Sequence, residues 1–149
     1  MKESKEEWVS FRDGCDFVSR AEPYFCEGKN ASRLERHLES LGFLVLKVDC
    51  AGVNSERELL ARLIEPLGSP AWFGCNWDAF GDLYDDIRFD ADRVALLLSR
   101  ADKFAKRDLW GFCRATEQLR LSVNQWERRR LVFETIWIGK GKLFAVEKS

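Results

Sequence analysis

Pro70-Ala71-Trp72-Phe73-Gly74-Cys75-Asn76-Trp77-Asp78-Ala79-Phe80-Gly81-Asp82-Leu83-Tyr84-Asp85-Asp86-Ile87 joins an aromatic loop to a two-faced helix pattern. Gly74 supplies a bend, and Asn76 is a favourable N-cap from which a helix starts. At helical spacing Ala79, Phe80, Leu83, Tyr84 and Ile87 share one side, while Asp78, Asp82, Asp85 and Asp86 gather on the other. No Lys or Arg stands between Asp78 and Asp86. Like charges three or four residues apart cost a helix about 0.2–0.5 kcal/mol per pair, so a chain shaped only for folding would intersperse cations here. Acidic helix faces are commonly just solvated, and Asp78 in the first turn suits the helix dipole. Trp72 and Phe73 stand directly before the acidic face, and exposed aromatics beside a charged patch suggest a protein interface with a positive partner. Trp77 reads equally well as a core staple or as part of that interface.

Working outward, the elements on either side alternate between helix and strand patterns. Ser32-Arg33-Leu34-Glu35 is a capping-box pattern opening a helix in which Leu34, Leu38 and Leu41 share a face, with Gly42 as the stop. Phe43 to Val48 is a nearly continuous apolar run, as in a strand buried on both faces. Ser55-Glu56-Arg57-Glu58 is a second capping box, opening a helix with Leu59, Leu60, Leu63 and Ile64 inward. Beyond the acidic segment, Arg93 to Ser99 is a second buried-strand run, Asp108 to about Arg130 is helical as one helix or two, and Leu131 to Ile138 is a third strand. Leu143 to Val146 adds a short final strand. Strands separated by helices imply a small parallel sheet covered by helices, an α/β fold. Residues 15–30 contain Phe17, Val18, Tyr24 and Phe25 broken by Pro23 and Gly28, and carry no assignment.

The 149 residues, 46% of them hydrophobic, fit one domain with an ordinary core. The net charge of −1 conceals an asymmetry: residues 70–92 hold six Asp against one Arg, and residues 93–149 hold thirteen Lys and Arg against six acids. The acidic block would repel phosphate, so that surface is not a nucleic-acid site. Five cysteines at irregular spacing, with no Cys-x-x-Cys pair, fit a reducing compartment. The charged start Met1 to Glu7 is not a signal peptide and no apolar run reaches membrane-spanning length, so a cytoplasmic protein with no membrane association is expected.

The quoted stretch resembles the barstar family of intracellular ribonuclease inhibitors. The pattern of the family is an aromatic pair, Gly, any residue, Asn, an apolar residue, Asp, Ala, an apolar residue, any residue, Asp, and here it reads Trp72-Phe73-Gly74-Cys75-Asn76-Trp77-Asp78-Ala79-Phe80-Gly81-Asp82. A compatible order of elements extends over roughly Leu41 to Gly139. The resemblance implies a three-stranded parallel sheet flanked by helices, with residues 31–149 as the domain and residues 1–30 as an N-terminal extension packed on it. It implies that loop and acidic helix plug a ribonuclease active site, with Asp82 at the substrate-phosphate position, Asp78 paired with a nearby basic residue and Trp72 packed on the nuclease. Gly81 stands where the family often has an aromatic residue. Asp85, Asp86 and Ile87 also depart from the type member, so the rim of the interface differs.

The expected function is therefore a non-catalytic immunity protein. Trp72, Phe73, Gly74, Asn76, Asp78, Gly81, Asp82, Asp85 and Asp86 form its partner-binding set, and its partner is a basic ribonuclease toxin. Neither a cofactor nor a metal is expected, and a monomer is the favoured state. The rival reading keeps the fold but binds a basic non-nuclease protein, as the changes at Gly81, Asp85, Asp86 and Ile87 allow. A metal-dependent hydrolase built on the Asp cluster ranks well below both, because carboxylates strung along one straight helix rarely converge on one ion. The lone His37, on a polar helix side, reads as a surface residue rather than a general base. Arg128-Arg129-Arg130 reads as helix C-terminal charge rather than a nucleic-acid patch.

Overall fold

Val94, Ala95, Leu96, Leu97 and Leu98 are five consecutive buried residues, and a strand apolar on both faces must be covered on both. The structure, a computed structural model, describes residues 24–64, 76–78, 80, 92–128 and 132–144, with backbone alone over 123–128. Within these, four parallel strands form one sheet: β1 (Tyr24–Glu27), β2 (Leu44–Asp49), β3 (Arg93–Ser99) and β4 (Val132–Gly139), in the order β1-β4-β3-β2. The register places Leu96 of β3 between Leu46 of β2 and Thr135 of β4. Between the strands run α1 (Ala31–Ser40), α2 (Glu56–Ile64), α3 (Asp102–Arg107) and α4 (Leu109–Arg128).

The sheet has four strands rather than three. Its additional member, β1, is only four residues long and lies between Pro23 and a short 3-10 turn at Gly28–Asn30, in the stretch that the sequence pattern left unassigned. It pairs with β4 from Tyr24 against Ile136 to Glu27 against Gly139. So short a run has no period to detect, and its burial depends on a partner more than one hundred residues away.

Crossover handedness explains how the faces are covered. The connection from β1 to β2 crosses the whole sheet in one direction, and those from β2 to β3 and β3 to β4 step back in the other. Right-handed crossovers therefore put α1 on one face and the later helices on the opposite face. Leu34 and Leu38 of α1 pack with Ala95, Leu97, Ile136 and Tyr24. Leu59 and Leu63 of α2, Phe104 of α3 and Phe112 and Leu119 of α4 pack with Leu96, Leu98, Phe133 and Trp137 on the other face.

Four further expectations are corrected. β2 is an edge strand, half-covered with Leu44 exposed, because nothing described pairs on its outer side. α1 begins at Ala31, continuing the 3-10 turn, so Ser32 lies inside it and the capping box does not form. α3 was not anticipated: six residues behind Ala101, which lacks a capping side chain, leave little signal. Leu143 and Phe144 lie in a turn closed by Phe144 N–H on Gly141 C=O at 3.1 Å, whereas Ala145 and Val146 of the expected last strand lie outside the described residues. The Asp108–Arg130 region resolves as one helix of 20 residues over its described length.

Two local devices match the sequence reading. Gly42, at φ +85°, ends α1 with Gly42 N–H on Glu39 C=O at 3.1 Å and Phe43 N–H on Leu38 C=O at 3.0 Å, a Schellman pair. Ser55 Oγ accepts from Glu58 N–H at 3.3 Å, and the Glu58 carboxylate accepts from Asn54 N–H at 3.0 Å, one residue before the expected cap.

At the carboxyl end of β2, Asp49 accepts from Arg100 Nε and from Ala51 N–H, both at 2.9 Å. Arg100 holds a left-handed backbone at φ +52°, which a non-glycine residue adopts only under outside constraint. The Arg100 hydrogen bond, then that of Ala51, lowers the Asp49 pKa below the ordinary carboxylate range. A depressed carboxyl contributes stability that is present above its unfolded pKa and disappears as pH falls through its folded one. Asp49→Asn is expected to lower the urea midpoint slightly at pH 7, since the pair is exposed. Native and variant midpoints should converge as pH falls below the ordinary carboxylate range. At Gly42 no atom stands within 4 Å of an added Cβ, so Gly42→Ala meets backbone strain alone. It should lose about 1 kcal/mol in urea unfolding, with the slope unchanged.

Candidate functional site

The acidic segment begins on a helical turn whose placement follows from two aromatic residues. Asn76 C=O accepts from Phe80 N–H at 3.1 Å, the first backbone bond of a helix for which Asn76 is the cap. Phe80 is buried against the cluster that α2 and β3 build. Trp77 is half-buried, meets Phe80 edge-on at 5.3 Å between ring centroids, and gives its indole N–H to Glu56 Oε2. These contacts staple the turn to the domain, while the half-buried ring leaves part of Trp77 at the surface. Asn76 and Asp78 are both exposed. Among the described residues Asp78 forms no ion pair.

Glu56 is the hub of the anchorage. Its other oxygen, Oε1, accepts from Arg114 of α4 through Nε at 2.9 Å and Nη2 at 2.7 Å. The same bonds raise the pKa of Arg114. Glu56 N–H donates to Asp108 Oδ2 at 3.1 Å, and Asp108 Oδ1 accepts from Gly111 N–H at 3.0 Å. One carboxylate thus caps the N-termini of α2 and α4 together, satisfying donors that each helix leaves open. The arrangement requires glycine at 111, where an added Cβ would stand 2.2 Å from Asp108 Oδ2. Arg107 completes the junction by donating to Asn54 Oδ1.

Of the sequence-derived set, Asn76 and Asp78 are the two members within the described residues. Trp72, Phe73, Gly74, Gly81, Asp82, Asp85 and Asp86 lie outside them. Glu56, Asp108 and Arg114 were not singled out as site residues. The acidic start of α2 is an ordinary complement to the helix dipole, and no local pattern links it to Trp77, 21 residues on, or to Arg114, 58 residues on.

Comparison with known proteins identifies the class. The Barstar family, described as barstar (barnase inhibitor), matches residues 43–137, well over half of the chain. The chain belongs to the Barstar family. No curated protein matches it. Among solved structures, one of the Aeropyrum pernix ORC1 protein in complex with DNA is similar with 16% identity and a TM-score of 0.48, over 80% of this chain and 32% of that one. This chain therefore spans about a third of that protein's length, and so loose a likeness carries no functional argument. Among the described residues, no helix is long and apolar enough to cross a membrane.

Because Glu56 supplies the acceptor for the Trp77 indole, Glu56→Ala should cost about 1–2 kcal/mol. Glu56→Gln keeps an acceptor oxygen and should lose less. Urea titrations of the three proteins, followed by far-UV circular dichroism, give the order native, Gln, Ala. An Ala variant as stable as the native protein removes Glu56 from its role as hub.

Proposed function

We propose that this protein inhibits a basic ribonuclease by inserting an acidic helix into its phosphate-binding cleft. The observation that carries the reading is Asp78: an exposed carboxylate on a turn that Trp77 and Phe80 fasten to the domain, in a Barstar-family chain. In the sequence it is followed by Asp82, Asp85 and Asp86 with no cation among them. The inhibitor performs no chemistry. Its carboxylates take the places of RNA phosphates, Asp82 at the substrate-phosphate position and Asp78 beside a basic side chain, while Trp72 and Phe73 pack on the rim of the nuclease around Gly74. Asp85 and Asp86 add further negative charge after Gly81 in the sequence, and Asn76 shapes the loop.

The charge serves encounter as well as fit, because complementary potentials raise association rates and are screened by salt. The protein acts as a monomer in the cytoplasm of the cell it protects. Its free thiols at Cys26, Cys50 and Cys113 suit a reducing compartment.

The test is inhibition of RNA cleavage by barnase, the enzyme named in the description of the family, over a series of NaCl concentrations. Inhibition should weaken as salt rises. Asp78→Ala and Asp82→Ala should each raise the inhibition constant at least about tenfold at low salt and flatten the salt dependence. Unchanged constants in both variants would remove the site assignment.

A further inference from the structure

Trp110, at the start of α4, is 78% exposed, the highest value for a large apolar side chain among the described residues. The charge around it is positive. Lys106 and Arg107 stand three and four residues after Lys103, so all three share the outer side of α3 and are exposed, while Phe104 and Ala105 face the core. α4 packs on the same core, its Phe112 ring 6.0 Å from that of Phe104, and it too turns its first exposed residues away from the sheet. Only Asp108 and Leu109 separate Arg107 from Trp110, which holds their Cα atoms within about 11 Å of each other.

The turn after β4 adds two more cations. Ala101 N–H donates to Ile138 C=O at 2.9 Å and Lys140 N–H to Asp102 Oδ1 at 3.3 Å, so Lys140 and Lys142, both exposed, stand beside the start of α3. Acids offset only part of this charge. Residues 100–108 and 139–142 together hold six Lys and Arg against Asp102 and Asp108. Of the six, Arg100 is paired with Asp49 of β2, and Arg107 donates to the neutral amide of Asn54 and keeps its charge. Among the described residues Lys103, Lys106, Lys140 and Lys142 form no ion pair. Both acids accept from backbone N–H groups. On the adjoining start of α2, Glu56 is balanced by Arg114 and Glu58 accepts from Asn54 N–H.

Five cations and an open indole suit a chain that carries repeated negative charge and flat rings. Lysine is depleted in protein–protein interfaces, where arginine is the favoured cation, and four of these five are lysines. Proteins that hold single-stranded nucleic acid set Lys and Arg against the phosphates and stack bases on exposed aromatic rings. We propose that the outer side of α3, the turn that carries Lys140 and Lys142, and Trp110 bind single-stranded nucleic acid without sequence preference, the cations against phosphates and the indole against a base. These residues are distinct from the acidic block at 70–92, whose charge repels phosphate, and the inference does not rest on the inhibitor reading above.

Fluorescence anisotropy of a labelled oligouridylate of about ten nucleotides, titrated with the full chain over a NaCl series, tests this without any nuclease present. Affinity should fall as salt rises, and a duplex of the same length should bind more weakly because its bases are already stacked. Trp110→Ala should weaken binding about fivefold or more with the salt slope unchanged, and Trp110→Phe should keep most of the affinity. Lys103→Gln with Lys106→Gln should weaken binding at low salt and reduce the slope of log affinity against log salt by about 0.7 for each cation removed. Lys47→Gln, at a lysine paired with Glu35 on the α1 face, should change neither. Native protein that does not bind the oligonucleotide at low salt overturns the inference. So does binding that survives Trp110→Ala and the double lysine variant within about twofold. An oligoglutamate of equal length bound as tightly as the oligouridylate, with Trp110→Ala neutral toward both, would replace nucleic acid with an acidic protein as the partner and also overturn it.

Discussion

Burial of β3 and β4 on both faces is the constraint from which the rest of the architecture follows. β4 is buried at all eight positions and β3 at its five central ones. Two such strands side by side cannot border water, so a strand must lie on each outer edge and helices on both faces. β1 and β2 fill the edges. Among the described helices, the one long crossover places α1 on one face, and α2, α3 and α4 share the other. On that shared face α2, α4 and the Trp77–Phe80 turn must fit against one another above the same strands. Their polar ends meet there, and Glu56 and Asp108 satisfy the donors that this crowding brings together.

The parts of the fold that the sequence made legible are those with a local physical cause. Val94 to Leu98 announces a doubly covered strand through its apolar continuity, and Gly42 announces a helix end through the backbone that only glycine adopts without strain. The capping box at Ser55 was legible because its bonds span three and four residues. What escaped depends on distant partners. β1 is a strand because β4 offers it a ladder, and the apolar run of β2 marks an edge because nothing described continues the sheet beyond it. Ser32-Arg33-Leu34-Glu35 misled because a capping pattern competes with any turn that already carries the chain into the helix, as the 3-10 turn at Gly28–Asn30 does. The candidate site shows the same division. Asn76 and Asp78 were readable from spacing, whereas the Glu56, Asp108 and Arg114 contacts that brace the turn join three separated segments.

That bracing bears on what an exposed carboxylate on a helical turn would need in order to bind a cationic partner. Carboxylates that repel one another gain from a partner's cations only the difference between the bound state and a hydrated free one. A surface that must also be ordered on binding loses further free energy to conformational entropy. Here the first turn is held by the protein's own contacts, the Trp77–Phe80 ring pair and the indole hydrogen bond to Glu56. Asp78, the next residue along the turn, is exposed. The brace is itself charge-balanced, Arg114 facing Glu56, so it does not draw the cation away to Asp78. Had Arg114 paired with Asp78 instead, that carboxylate would have been neutralised within the molecule. Because the arginine pairs with Glu56, the Trp77 indole bond is braced while Asp78, the next residue, keeps its carboxylate exposed.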